Sequence, residues 1–84
     1  MNKKQRQTLE RIFDEPERSD ITWNDIEGLF KALGAEICEG RGSRVRVAMK
    51  GVRAVFHRPH PQHVIQKAAV RSVRRFLLES GVKP

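Results

Sequence analysis

Residues 44–57 read Arg44-Val45-Arg46-Val47-Ala48-Met49-Lys50-Gly51-Val52-Arg53-Ala54-Val55-Phe56-His57. Val45, Val47 and Met49 alternate with Arg44, Arg46 and Ala48. After Lys50-Gly51 the alternation resumes, with Val52, Ala54 and Phe56 set against Arg53, Val55 and His57. A period of two marks a half-buried strand, and two such runs across a two-residue turn form a β-hairpin. The apolar set must face a core, so Arg44, Arg46 and Arg53 project from the opposite face.

Working outward, Ala35, Ile37 and Glu39 start a shorter strand that ends at Gly40-Arg41-Gly42 and supplies a third member of the sheet. Upstream of it the period lengthens to that of a helix. Trp23, Ile26, Leu29, Phe30 and Leu33 make one apolar stripe over Trp23–Leu33. Thr22 is placed to cap this helix, Asp25 stands three residues on in a capping-box spacing, and Gly34 stops it. A further helix over Lys3–Phe13 turns Leu9, Ile12 and Phe13 to one side and is interrupted by Pro16 and Ser19. Downstream, Pro59 and Pro61 deny amide donors to any ladder. A last helix from Ile65 to Ser80 then groups Ile65, Ala69, Val73, Phe76 and Leu77 on one face and Lys67, Arg71, Arg74 and Arg75 on another. The expected fold class is α+β: a three-stranded antiparallel sheet with helices packed on one face, in the order α(α)βββα.

At 84 residues the chain has room for one core, and 38% hydrophobic against 32% charged residues is too apolar for a disordered chain. Apolar runs never exceed three residues, as in Phe76-Leu77-Leu78, so neither a membrane span nor a secretory leader is expected. Cys38 is the one cysteine. It precludes an internal disulfide and a cysteine-based zinc site, and fits a reducing, cytoplasmic setting. Within its apolar strand it reads as a packing residue.

The net charge of +7 is unevenly spread. Residues 19–39 carry one basic and five acidic groups, whereas residues 40–60 carry six basic and none acidic. That separation points to a phosphate-facing side and an acidic back. Arg44, Arg46 and Arg53, joined by Arg41 in the turn and Arg58 beyond the hairpin, offer planar forks that each bind two phosphate oxygens. Gly42 and Ser43 let the turn's backbone amides approach an anion. The plainer alternative is an edge hairpin kept soluble by charge.

His57, His60 and His63 recur every third residue, but Pro59 and Pro61 preclude the helix that would make them converging ligands. No metal and no other cofactor is expected. Acid–base work suits them better, because imidazole titrates near neutrality. RNA cleavage needs a base for the 2′-hydroxyl and an acid for the leaving 5′-oxygen. Ordinary loop histidines would share this spacing. Ser43 has no carboxylate within residues 40–60 to complete a serine-hydrolase triad.

Leu29–Leu33, then Gly34-Ala35-Glu36, Gly40-Arg41-Gly42-Ser43-Arg44-Val45-Arg46, the hairpin, His57-Arg58-Pro59-His60-Pro61 and a final helix ending in Gly81-Val82 resemble the HicA toxin family of bacterial toxin–antitoxin systems. The resemblance spans residues 22–82 as the core of a single domain, 1–84, with residues 1–20 as an N-terminal helical extension. It implies a fold like the double-stranded RNA-binding domain, metal-independent cleavage of mRNA in the cytoplasm, and neutralisation by a HicB-type antitoxin that covers the active face. The family's usual motif is Gly-Ser-His. Here Gly42 and Ser43 match, Arg44 stands where the histidine is usual, and His60 matches a second family histidine. Arginine cannot act as a general base at neutral pH, but it can stabilise a phosphorane. Proton transfer then falls to His60 or His57, with Arg44 and Arg46 on the phosphate. The competing class is a catalytically inactive module of the same fold that binds RNA or the antitoxin.

His60→Ala is expected to abolish growth arrest and RNA cleavage while preserving RNA binding. Unchanged cleavage by the variant lacking both His57 and His60 would rule the histidines out. Inducible expression separates the two classes: arrest with transcript loss marks the enzyme, and tolerance marks the binder.

Overall fold

The structure, a computed structural model, describes residues 1–59 and 63–84. Strands β1 (Glu36–Glu39), β2 (Arg44–Met49) and β3 (Val52–His57) form an antiparallel sheet in the order β1-β2-β3. Lys50 and Gly51 both adopt left-handed φ, at 50° and 80°. That is the two-residue primed turn whose twist matches the flanking strands. It sets Met49 opposite Val52, and so Val47 opposite Ala54, Val45 opposite Phe56 and Arg44 opposite His57.

Helices α1 (Lys3–Ile12), α2 (Trp23–Ala32) and α3 (Lys67–Glu79) complete the α+β order ααβββα. Val45, Val47, Met49 and Phe56 of the sheet are buried with Ile26, Leu29 and Phe30 of α2 and Val70, Val73, Phe76 and Leu77 of α3. Phe56 stacks on Phe30 at 5.7 Å and meets Phe76 edge-on at 5.9 Å, while Phe30 and Phe76 close the triangle at 5.5 Å. Aromatic pairs in these geometries add about 0.5–1.5 kcal/mol each beyond the area they bury.

Two helix starts differ from the sequence reading. Thr22 accepts from the Asp25 amide at 3.2 Å, but the return half of the capping box is missing, because the Asp25 carboxylate turns to Lys4 Nζ at 3.4 Å. The complete capping box is at α1, where Asn2 and Gln5 bond each other's backbone amides. Helix α3 begins at Lys67 and not at Ile65. The Ile65 amide donates to Ile21 O at 3.0 Å, and the Trp23 amide donates to His63 O at 2.8 Å. Residues 63–65 are thus spent on a bridge to the start of α2 before α3 can begin.

Helix α1 brings Leu9 and Ile12 into the same core, and residues 13–20 are fastened to α3 by charge. Arg74 donates from Nε to Ile12 O at 3.0 Å and from Nη2 to Asp14 O at 2.9 Å, pairs with Glu15, and lies over the Phe13 ring. Arg71 binds Glu17 at 2.6 Å, and this hydrogen bond holds the Glu17 carboxyl below its ordinary range. Arg18 bridges Asp14 and Asp20, and its hydrogen bonds lower Asp20 to about 2. The Asp20 attachment is therefore whole above the ordinary carboxylate value and fades as pH falls from 3.8 toward about 2. Of the basic residues that the helical period groups on one face of α3, Arg74 is an internal tie and Arg71 is paired.

Arg74→Ala is expected to lower stability by about 1.5–3 kcal/mol, the worth of hydrogen bonds made by a charged group. Arg74→Lys should recover little, since an ammonium cannot reach two carbonyls with a fork. Urea unfolding checks this, and an unmoved Arg74→Ala midpoint would refute the role.

Candidate nucleic-acid interface

Burying Phe56 sends its neighbours Val55 and His57 to the other side of the sheet. There they join Arg44, Arg46 and Arg53, all exposed. The primed turn makes Met49 and Val52 a hydrogen-bonded pair, and the alternation runs on to the bond from the Arg58 amide to Ser43 O at 2.8 Å. Arg44–His57, Arg46–Val55 and Ala48–Arg53 are consequently the non-hydrogen-bonded pairs, whose Cα atoms approach to about 4.5 Å and whose side chains lie closest. His57 and Arg44 are thus direct neighbours across the ladder.

Arg41, Gly42 and Ser43 are exposed in the turn that leads into Arg44. Gly42 takes φ 62°, a conformation that costs glycine nothing, and the turn is closed by the Arg44 amide bonding Arg41 O at 3.2 Å. Beside it lies an open hollow of about 420 Å³ lined by Glu39, Gly40, Arg41, Arg44, Arg46 and Val55. His57 stands at the β3 edge and lines a smaller cleft of about 160 Å³ against α3, with Trp23 and Ser72 among its neighbours. Among the described residues, no carboxylate forms an ion pair with Arg41, Arg44, Arg46 or Arg53. Four adjacent guanidinium groups without counter-ions make a strongly positive surface that can hold a polyanion.

Arg58 stands apart from this set. Its Nη1 meets Glu39 at 2.6 Å and its Nη2 meets Glu27 at 3.3 Å, while Glu27 also accepts from Trp23 Nε1 at 3.1 Å. The hydrogen bond to Glu39, more than that to Glu27, raises the Arg58 pKa, against a smaller opposing effect of burial. A phosphate would have to displace two carboxylates to reach it, so Arg58 holds β1, α2 and the chain after β3 together. His60 lies outside the described residues. His63 is exposed at the start of α2, where its backbone and not its ring is used. Among the described residues no cluster of three His, Cys, Asp or Glu side chains could hold a metal ion, and no helix is long and apolar enough to cross a membrane.

The sequence reading misplaced one outer-face residue and gave a second, Val55, no role. Cys38 is exposed, not packed, because its register partner is Arg46. Val55 is 56% exposed amid the arginines. The period-two alternation held the signal for Val55, since residues 53, 55 and 57 must share a face.

In comparison with known proteins, the family model described as the HicA toxin of bacterial toxin–antitoxin matches residues 23–81. No curated protein and no solved structure gives a significant match.

Removing Arg46 and Arg53 together should weaken binding to single-stranded RNA and flatten its dependence on log salt by about 0.7 per lost phosphate contact. Arg58→Ala should leave that slope unchanged. Titrations at several ionic strengths test this, and an unaltered slope in the double variant would place the phosphates elsewhere.

Proposed function

The chain belongs to the HicA toxin family, the match covering residues 23–81 of 84, and from that premise we propose that it is the RNA-cleaving toxin of its toxin–antitoxin system. Membership makes it a toxin with an antitoxin partner. The proposal adds that the substrate is mRNA, that cleavage inhibits translation, and that a HicB-type protein covers the basic sheet face.

One observation carries the chemistry. His57 lies directly opposite Arg44, and Arg44 occupies the position where the family's Gly-Ser-His motif has its histidine. An imidazole is thus supplied from the neighbouring strand to the same patch of surface. Arg44 and Arg46 would hold the scissile phosphate and, by their fixed charge, stabilise the dianionic phosphorane. His57 would take the proton of the 2′-hydroxyl as the 2′-oxygen bonds to phosphorus. The P–O5′ bond then breaks and the 5′-oxygen gains a proton from the second acid, for which His60 is the candidate. Each proton transfer of this kind contributes about 10²–10⁴-fold in rate.

Arg44 in place of the usual histidine also favours a second reading, a module that binds RNA without cutting it. His57→Ala decides between them. On the first reading it lowers cleavage of a labelled transcript by about 10²-fold or more and leaves RNA affinity within about threefold of the parent, since the arginines supply that affinity. A parent protein that binds RNA but yields no 5′-hydroxyl fragments, and whose induction cells tolerate, would establish the second.

A further inference from the structure

The basic face has a second hollow, of about 470 Å³, whose lining includes Glu36, Cys38, Arg46, Ala48, Arg53 and Val55. Its floor is built by register. Cys38 pairs with Arg46, Arg46 with Val55, and Ala48 with both Glu36 and Arg53, so that Ala48 and Val55 each adjoin both Arg46 and Arg53, while Cys38 flanks Arg46 on its other side. A surface that met only phosphates would gain from another cation at position 55. It has a valine there instead, more than half exposed. An apolar floor between two cationic walls matches a ligand with a flat apolar body attached to an anionic chain.

We propose that this hollow receives one unpaired nucleobase of a single-stranded RNA, a proposal that rests on the RNA reading above. The base lies face-down on Ala48 and Val55, against the planes of Arg46 and Arg53, which stack on bases as readily as they bind phosphate. The nearer of its two rows on the sheet, Arg46–Val55, is two residues, about 6.8 Å, from the Arg44–His57 row, so the phosphate held there belongs to the same stretch of strand. Glu36 at the far end offers an acceptor to an exocyclic amino group and repels phosphate, which orients the nucleotide with its anionic side toward Arg44. An A-form duplex is excluded from this floor, because its base faces are stacked and only edges reach its grooves.

The test uses the full chain and fluorescence anisotropy with three probes: an unstructured single-stranded oligoribonucleotide, an abasic backbone of equal length, and a perfect RNA duplex. The single strand should bind about tenfold more tightly than the abasic chain, the order expected for one stacked base. Val55→Ser should bring that ratio to within about twofold with abasic affinity unchanged, and Val55→Phe should widen it. Because the side chain is exposed, both variants should fold, which circular dichroism verifies. Equal binding of the single strand and the abasic chain, or duplex binding as tight as the single strand, overturns the proposal and leaves the RNA reading standing. Failure to bind any of the three overturns the RNA reading itself. Should Val55→Ser leave RNA binding untouched but loosen the complex with the antitoxin, the floor belongs to a protein interface and the proposal fails.

Discussion

The position of Phe56 governs the rest of the molecule. Its ring is locked between Phe30 of α2 and Phe76 of α3, and no other residue of β3 is fully buried. Strand periodicity then leaves no choice for its neighbours: with Phe56 facing in, Val55 and His57 must face out. A slip of one residue would expose the phenyl ring and bury an arginine or an imidazole. The primed turn at Lys50-Gly51 enforces the same register from the other end of the hairpin. The hydrophobic core thus decides the chemistry of the opposite face, although no core atom belongs to that face.

Charge is distributed on the same principle. Six carboxylates are consumed locally: Glu15 and Glu17 by α3, Asp14 and Asp20 by Arg18, Glu27 and Glu39 by Arg58. Pairs this exposed add little stability, because water screens the charges and the side chains lose entropy in pairing. Their larger consequence is to engage these carboxylates elsewhere, while Arg41, Arg44, Arg46 and Arg53 form no ion pair among the described residues. A fold selected for stability alone would intersperse the two signs. Leaving a cluster of like charges unpaired stores repulsion that a polyanionic ligand releases, and this is the physical content of calling the face a binding site.

The hairpin, the stripe of α2 and the order of elements were legible because each follows from periodicity, which is local. Val45, Val47 and Met49 needed no partner to declare their face. The same logic set Arg44, Arg46 and Arg53 on one surface. What escaped depended on pairing between distant segments. Arg74 sits on a polar face of α3 by spacing, and only the packing of α1 shows that it reaches the Ile12 and Asp14 carbonyls. Arg58 looked like one more phosphate ligand, because nothing in the sequence brings Glu27 and Glu39 to it. Cys38 looked apolar and internal, yet in a strand of four residues a shift of one position decides the face, and no flanking pattern was long enough to fix it.

That distinction bears on the Gly-Ser-His motif. A linear motif locates a functional group by its place along one strand, whereas chemistry needs only its place in space. In an antiparallel sheet every position has a cross-strand neighbour, and in the non-hydrogen-bonded pairs that neighbour is closer than any residue along the same strand face, which lies about 6.8 Å away. Exchange of residue types across such a pair erases the linear signature and leaves the local composition of the surface unchanged. Arg44 and His57 occupy a pair of this kind. Read along β2 the motif lacks its histidine; read across the ladder His57 stands opposite Arg44, so the arginine at position 44 does not by itself remove an imidazole from the face.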